Sequence, residues 1–132
     1  MTIPLIAALY AGLNAFILIW LTFAVIRRRG AKRVSLGSGG DAELEKAVRS
    51  HANAAETMPM ALILLALTEL IGAPGVVVHI AGAALAAGRL LHGLHFNGYG
   101  PMLFRMIGMA ATLMVMFFLA LGLVAHALVG IF

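Results

Sequence analysis

A chain of 132 residues that is 63% hydrophobic and 11% charged, with a mean hydropathy of +1.06, does not suit a soluble domain. Such a domain leaves about a third of its chain's surface in water, more than these few polar side chains can cover. The net charge of +4 comes without an aromatic-interleaved basic surface, which argues against nucleic acid as a partner. The absence of cysteine excludes disulfides, thiolate metal sites and a cysteine nucleophile, so any thiol chemistry must use a thiol carried by a substrate.

Four apolar stretches, 3–26, 52–71, 76–95 and 106–132, are each long enough to cross a hydrocarbon core of ~30 Å. They predict an all-α membrane protein, a four-transmembrane-helix bundle forming one domain over residues 1–132. The first stretch has no basic residue before it and exceeds the length of a signal-peptide core, so it is expected to remain as a helix. Ala8/Gly12 and Ala11/Ala15 are small pairs that let helix backbones approach in lipid. Asn14 is expected to make an interhelical hydrogen bond, Trp20 to be a loose interfacial anchor, and Arg27-Arg28-Arg29 to stop the helix at the membrane surface.

The first connection contains Leu36-Gly37-Ser38-Gly39-Gly40, but it lacks the strand, lysine and hydroxyl that a phosphate-binding loop needs. It is a flexible turn. Asp41 then suits an N-cap, and Glu43 and Glu45 suit the positive end of the following helix. Arg49, Asn53 and Glu56, four and three residues apart, share one stripe of that helix. His51 lies roughly 200° from Arg49 and looks elsewhere. Counting back about 20 residues from Ile71 puts the membrane boundary near Ala52, so Glu56 is inside it and needs a partner. Glu69, near the other end, is expected to anchor that boundary.

The turn Gly72-Ala73-Pro74-Gly75 makes the second and third helices an antiparallel hairpin. Helix three carries the small pairs Gly82/Ala86, Ala83/Ala87 and Ala84/Gly88, then Arg89, His92 and Phe96 on one stripe. Arg89 lies roughly 10 Å short of the helix end, a depth comparable with that of Glu56. Asn97-Gly98-Tyr99-Gly100-Pro101 is a turn by composition, and Arg105 opens helix four. His79, His95 and His126 are isolated, so no metal site is expected.

Of the nine Lys and Arg residues, seven lie between Arg27 and Arg49, and Arg89 and Arg105 flank the third connection. By the positive-inside rule, connections one and three face the cytoplasm and both termini face outside. Arg49, Asn53, Glu56, Arg89, His92 and Arg105 then gather near one membrane boundary. A structural ion pair of Glu56 with Arg89 or Arg49 accounts for any two of them. The cationic surplus suits a ligand with two carboxylates and an ammonium group, arginine forks holding the carboxylates and Glu56 facing the ammonium. A guanidinium beside a thiol also favours the thiolate.

Val48-Arg49-Ser50-His51-Ala52-Asn53-Ala54-Ala55-Glu56 followed by Pro59, with Gly39-Gly40 upstream, resembles the membrane-associated proteins in eicosanoid and glutathione metabolism, the MAPEG family. Gly88-Arg89-Leu90-Leu91-His92 and Arg105-Met106-Ile107-Gly108-Met109 resemble that family's third- and fourth-helix motifs, and the nearest likeness is to its small bacterial inner-membrane members. The resemblance implies a homotrimer in the lipid bilayer, with glutathione as co-substrate between neighbouring subunits near the cytoplasmic face. It implies glutathione contacts from Arg49, Asn53 and Glu56, and from His51 and Arg29 across the interface. Arg89 and His92 would line the same cavity, and Arg105 would stabilise the thiolate that attacks a hydrophobic electrophile. Thr57 and Phe96 stand where many members have tyrosine, and no serine follows Arg105. These departures favour general glutathione transfer, or binding without turnover, over eicosanoid synthesis. Two rivals stay open: a non-catalytic trimeric scaffold, and a small proton-coupled exporter with Glu56 as its acid. The exporter is disfavoured because helix one holds no acid and because a proton-coupled acid would need to be less surrounded by arginine than Glu56 is.

Overall fold

The computed structural model describes residues 3–131, and over them the chain forms four helices joined by short connections in an up-down-up-down path. These are α1 (Leu5–Lys32), α2 (Ala42–Leu70), α3 (Gly75–Phe96) and α4 (Met102–Ile131). Phe132, the end of the fourth expected span, lies outside the described residues. The α2–α3 hairpin is central: α1 and α4 each pack against both of its helices and not against one another.

Three helices, α1, α3 and α4, are long and apolar enough to cross a membrane. α2 has the length, at 29 residues, but Arg49, Asn53, Glu56 and Glu69 lower its apolar content. The outward surface is apolar, with Phe16, Phe23, Ile63, Leu67, Phe117 and Leu121 all exposed, as lipid contact requires.

In lipid the helices gain little from burying apolar surface against each other, so close packing has to hold them. Glycines supply it at three crossings. A Cβ on Gly82 would run into the Tyr10 ring, and one on Gly93 would lie 2.7 Å from the Trp20 ring. At the α3–α4 crossing, a Cβ on Gly108 would meet the Gly88 carbonyl oxygen and would lie 2.8 Å from the His92 backbone nitrogen. Trp20, expected as a loose interfacial anchor, packs between α1 and α3. The α1 pair Ala8/Gly12 is exposed and packs on nothing within the protomer.

Polar side chains inside the bundle mostly return to their own helix. Thr22, Thr68 and Thr112 each donate to the carbonyl four residues back, at 2.8 to 3.0 Å. Asn14 does the same: its Nδ2 donates to the Tyr10 carbonyl at 2.8 Å, so the expected interhelical bond is replaced by an intrahelical one.

Helix ends are set by specific bonds. Asp41 caps α2, its carboxylate accepting from the Leu44 N–H at 2.8 Å, as its sequence position predicts. The arginine triplet does not stop α1, because arginine is a good helix former. The helix continues to Lys32 and ends where Arg33 turns left-handed at φ 54°, its N–H bonded to the Arg29 and Gly30 carbonyls. Arg28 instead reaches across to the third connection, donating to Asn97 Oδ1 at 2.6 Å. His95 Nδ1 lies 3.1 and 3.0 Å from the Gly100 and Pro101 carbonyl oxygens in that same connection.

Candidate functional site

At the arginine-rich end of the bundle, α2, α3 and α4 diverge around a cavity of about 420 Å³. Its walls are Arg49, Ala52, Asn53 and Glu56 from α2, His92 and Phe96 from α3, and Arg105 and Met109 from α4. Five of the eight residues expected from the sequence line this one hollow: Arg49, Asn53, Glu56, His92 and Arg105. Helical spacing brings the α2 set together, since positions three and four apart share a face. The α3–α4 crossing at Gly88 and Gly108 brings His92 and Arg105 to the same level.

The charges do not pair as a structural bridge would. Arg49 Nε lies 3.2 Å from Glu45 Oε1, a pair with both side chains largely exposed and hence weak. Neither Arg49 nor Arg89 makes an ion pair with Glu56 among the described residues. Glu56 is exposed and lines the cavity. Arg105 lies over the Phe96 ring, 5.3 Å from the guanidinium carbon to the ring centroid. The His92 ring packs on the same phenyl group at 4.9 Å. Phe96 thus spaces the histidine and the arginine apart along one wall.

Arg89 is not a wall residue. It is 2% exposed, behind the α2 face, and its Nη1 donates to Asn53 Oδ1 at 2.9 Å and to Thr57 Oγ1 at 3.0 Å. Its Nη2 reaches the Gly108 carbonyl at 3.4 Å. His92, though only 5% exposed, lines the cavity, whereas Arg89 on the same α3 stripe lies between α2 and α4. Thr57, which belongs to no charge pattern in the sequence, is the further residue that the structure adds to this cluster. Its position four after Asn53 on one helix face was the available clue.

His51 is half-buried and does not line the cavity, in keeping with its opposite facing on α2. Arg29 lies in a separate recess with Gly30, Arg33, Val34 and Ser35, and its Nη1 is buried without a protein partner among the described residues. Of the histidines set aside, His79 meets the Tyr10 hydroxyl, with 3.2 Å between Nδ1 and the oxygen. No cluster of three metal-ligating side chains exists among the described residues.

Four long helices clad in apolar side chains, enclosing a polar hollow at one end, define an integral membrane protein. The sequence model of the MAPEG family matches residues 7–125. Inner membrane protein YecN from Escherichia coli K12, and the protein of the same name from Escherichia coli O6:H1, are each 44% identical over 110 residues, covering 82% of this chain and 82% of theirs. The chain belongs to the MAPEG family.

Proposed function

We propose that this protein binds glutathione in the α2–α3–α4 cavity and activates its thiol for attack on an apolar electrophile arriving from the bilayer. The observation that carries this reading is the pairing pattern: Arg49 and Arg105, from different helices, face one cavity with Glu56 and none of the three is committed to another. Glutathione carries two carboxylates, an ammonium group and a thiol. Arg49 and the Asn53 amide would hold a carboxylate, and Glu56 the ammonium. Arg105, stacked on Phe96, would stand beside the sulfur and favour its thiolate, which is the nucleophile. Phe96 has no hydroxyl to donate, so the thiolate's charge falls to the guanidinium.

Arg29 lies on α1, away from this cavity, and would reach glutathione only in a neighbouring subunit, so the reading includes a homotrimer. The exposed Ala8/Gly12 face of α1 is free to pack against such a neighbour. By the positive-inside rule connections one and three would face the cytoplasm, and the likeness to YecN favours a bacterial inner membrane.

Titrating the purified protein with glutathione at neutral pH tests this. Thiolate ultraviolet absorbance should rise in the parent and fail to rise in Arg105→Ala. Binding without thiolate would favour the scaffold, and no binding would remove glutathione from the account.

A further inference from the structure

The hydrogen-bond network behind the cavity fixes what Asn53 shows to a ligand. A guanidinium only donates, so the Asn53 atom 2.9 Å from Arg89 Nη1 must be the amide oxygen. The Asn53 backbone carbonyl accepts the Thr57 hydroxyl proton at 2.7 Å, which leaves the lone pairs of Thr57 Oγ1 to accept from the same Arg89 nitrogen at 3.0 Å. The direction of each hydrogen bond among these three side chains is thereby assigned. With its oxygen turned inward, Asn53 can offer only the two N–H groups of Nδ2 to the cavity that it lines. Nδ2 makes no hydrogen bond to protein among the described residues, whereas the Asn14 and Asn97 amide nitrogens each donate to a carbonyl, Tyr10 and Gly93 respectively.

We propose that Arg89 is a positioning residue that locks the Asn53 amide with its donors facing the ligand, with Thr57 completing the lock. Arg89 touches no ligand itself. It makes one side of the cavity donor-only and selects an acceptor there, a carboxylate in the glutathione reading on which this inference rests. The threonine matters because a buried guanidinium without enough acceptors is costly, and Arg89 Nε already lacks one. Without Thr57, Asn53 would be the sole side-chain oxygen within reach of Arg89.

Two measurements test it on the full-length protein in detergent. The first needs no ligand: label the asparagine side chains with nitrogen-15 and follow exchange of their NH2 protons with deuterium. The Asn53 NH2 should exchange faster than those of Asn14 and Asn97, slow on adding glutathione, and shift in Arg89→Met. An Asn53 NH2 as protected as the other two without ligand, or one unmoved by Arg89→Met, overturns the proposal. The second compares Asn53→Asp with the parent by calorimetric titration with glutathione. Aspartate keeps an oxygen for Arg89 and supplies its missing countercharge, so the fold should be kept. It replaces the donor with an anionic oxygen, so glutathione affinity should fall roughly ten- to a hundredfold, the equivalent of a charged hydrogen bond. Unchanged affinity in a folded Asn53→Asp protein sinks the proposal. If the parent itself binds no glutathione, the functional reading fails while the exchange measurement still decides the amide's orientation.

Discussion

Glu69, near the end of α2, caps α1: its two carboxylate oxygens accept the Ala7 N–H at 2.6 Å and the Ile6 N–H at 3.0 Å. Those are first-turn donors that have no partner within their own helix, and the carboxylate also meets the positive end of the helix dipole. Expected at the membrane boundary, Glu69 ties the C-terminal end of α2 to the N-terminal end of α1. Glu69→Ala should destabilise the protein by about 1.5–3 kcal/mol, read as a lower melting temperature in detergent. Glu69→Gln keeps one acceptor oxygen and should lose less. Equal melting of all three proteins would mean that the cap contributes nothing.

At the α3–α4 crossing a Cβ on Gly108 would meet backbone atoms of Gly88 and His92, which cannot swing aside as a side chain can. Gly108→Val should cost about 1–3 kcal/mol through overpacking and should also displace His92, whose backbone nitrogen is the second neighbour. Gly122 has open space around its Cβ position, and Gly122→Ala should be neutral or stabilising by up to about 1 kcal/mol. Melting curves of the two variants check this, and a Gly108→Val protein as stable as the parent contradicts it.

Charge ties the end of α1 to the start of α2 across the first connection. The Lys32 ammonium, 2.7 Å from Asp41, and the Leu44 N–H hold the Asp41 carboxyl below its ordinary value of 3.8. A depressed folded-state value means that this stabilisation is present above pH 3.8 and is lost as pH falls through the folded-state value. Asp41→Asn keeps the cap oxygen but loses the ion pair. The parent should therefore melt higher than this variant near neutral pH, and the gap should close in acid. A gap that widens in acid would reverse the assigned sign.

Phe96 carries Arg105 on its face, an exposed cation–π contact worth about 0.5–1 kcal/mol. Phe96→Leu should therefore weaken glutathione binding roughly two- to fivefold and reduce the thiolate absorbance in proportion, if Arg105 is the group beside the sulfur. Phe96→Tyr should retain both. Calorimetry and absorbance on the same samples separate a loss of binding from a loss of thiolate.

Hydropathy and spacing alone determined four helices, their turns, the cap at Asp41 and one polar stripe along α2. These are local properties: helix period, run length and turn chemistry do not depend on what a neighbouring helix does. The gathering of Arg49, Asn53, Glu56, His92 and Arg105 was also legible, because depth in a bilayer follows from counting residues to a boundary. Tertiary structure decided which cation lines the cavity and which stays behind it. Arg89 and His92 share a stripe of α3 and both are buried, yet only His92 lines the cavity, while Arg89 bonds Asn53 and Thr57 behind it. It also decided that Glu69 bonds α1, that Arg28 rather than Arg29 ties α1 to the third connection, and that Trp20 packs on Gly93. Each of these depends on how one helix is rotated and shifted against another, and helical periodicity carries no information about a neighbour's rotation.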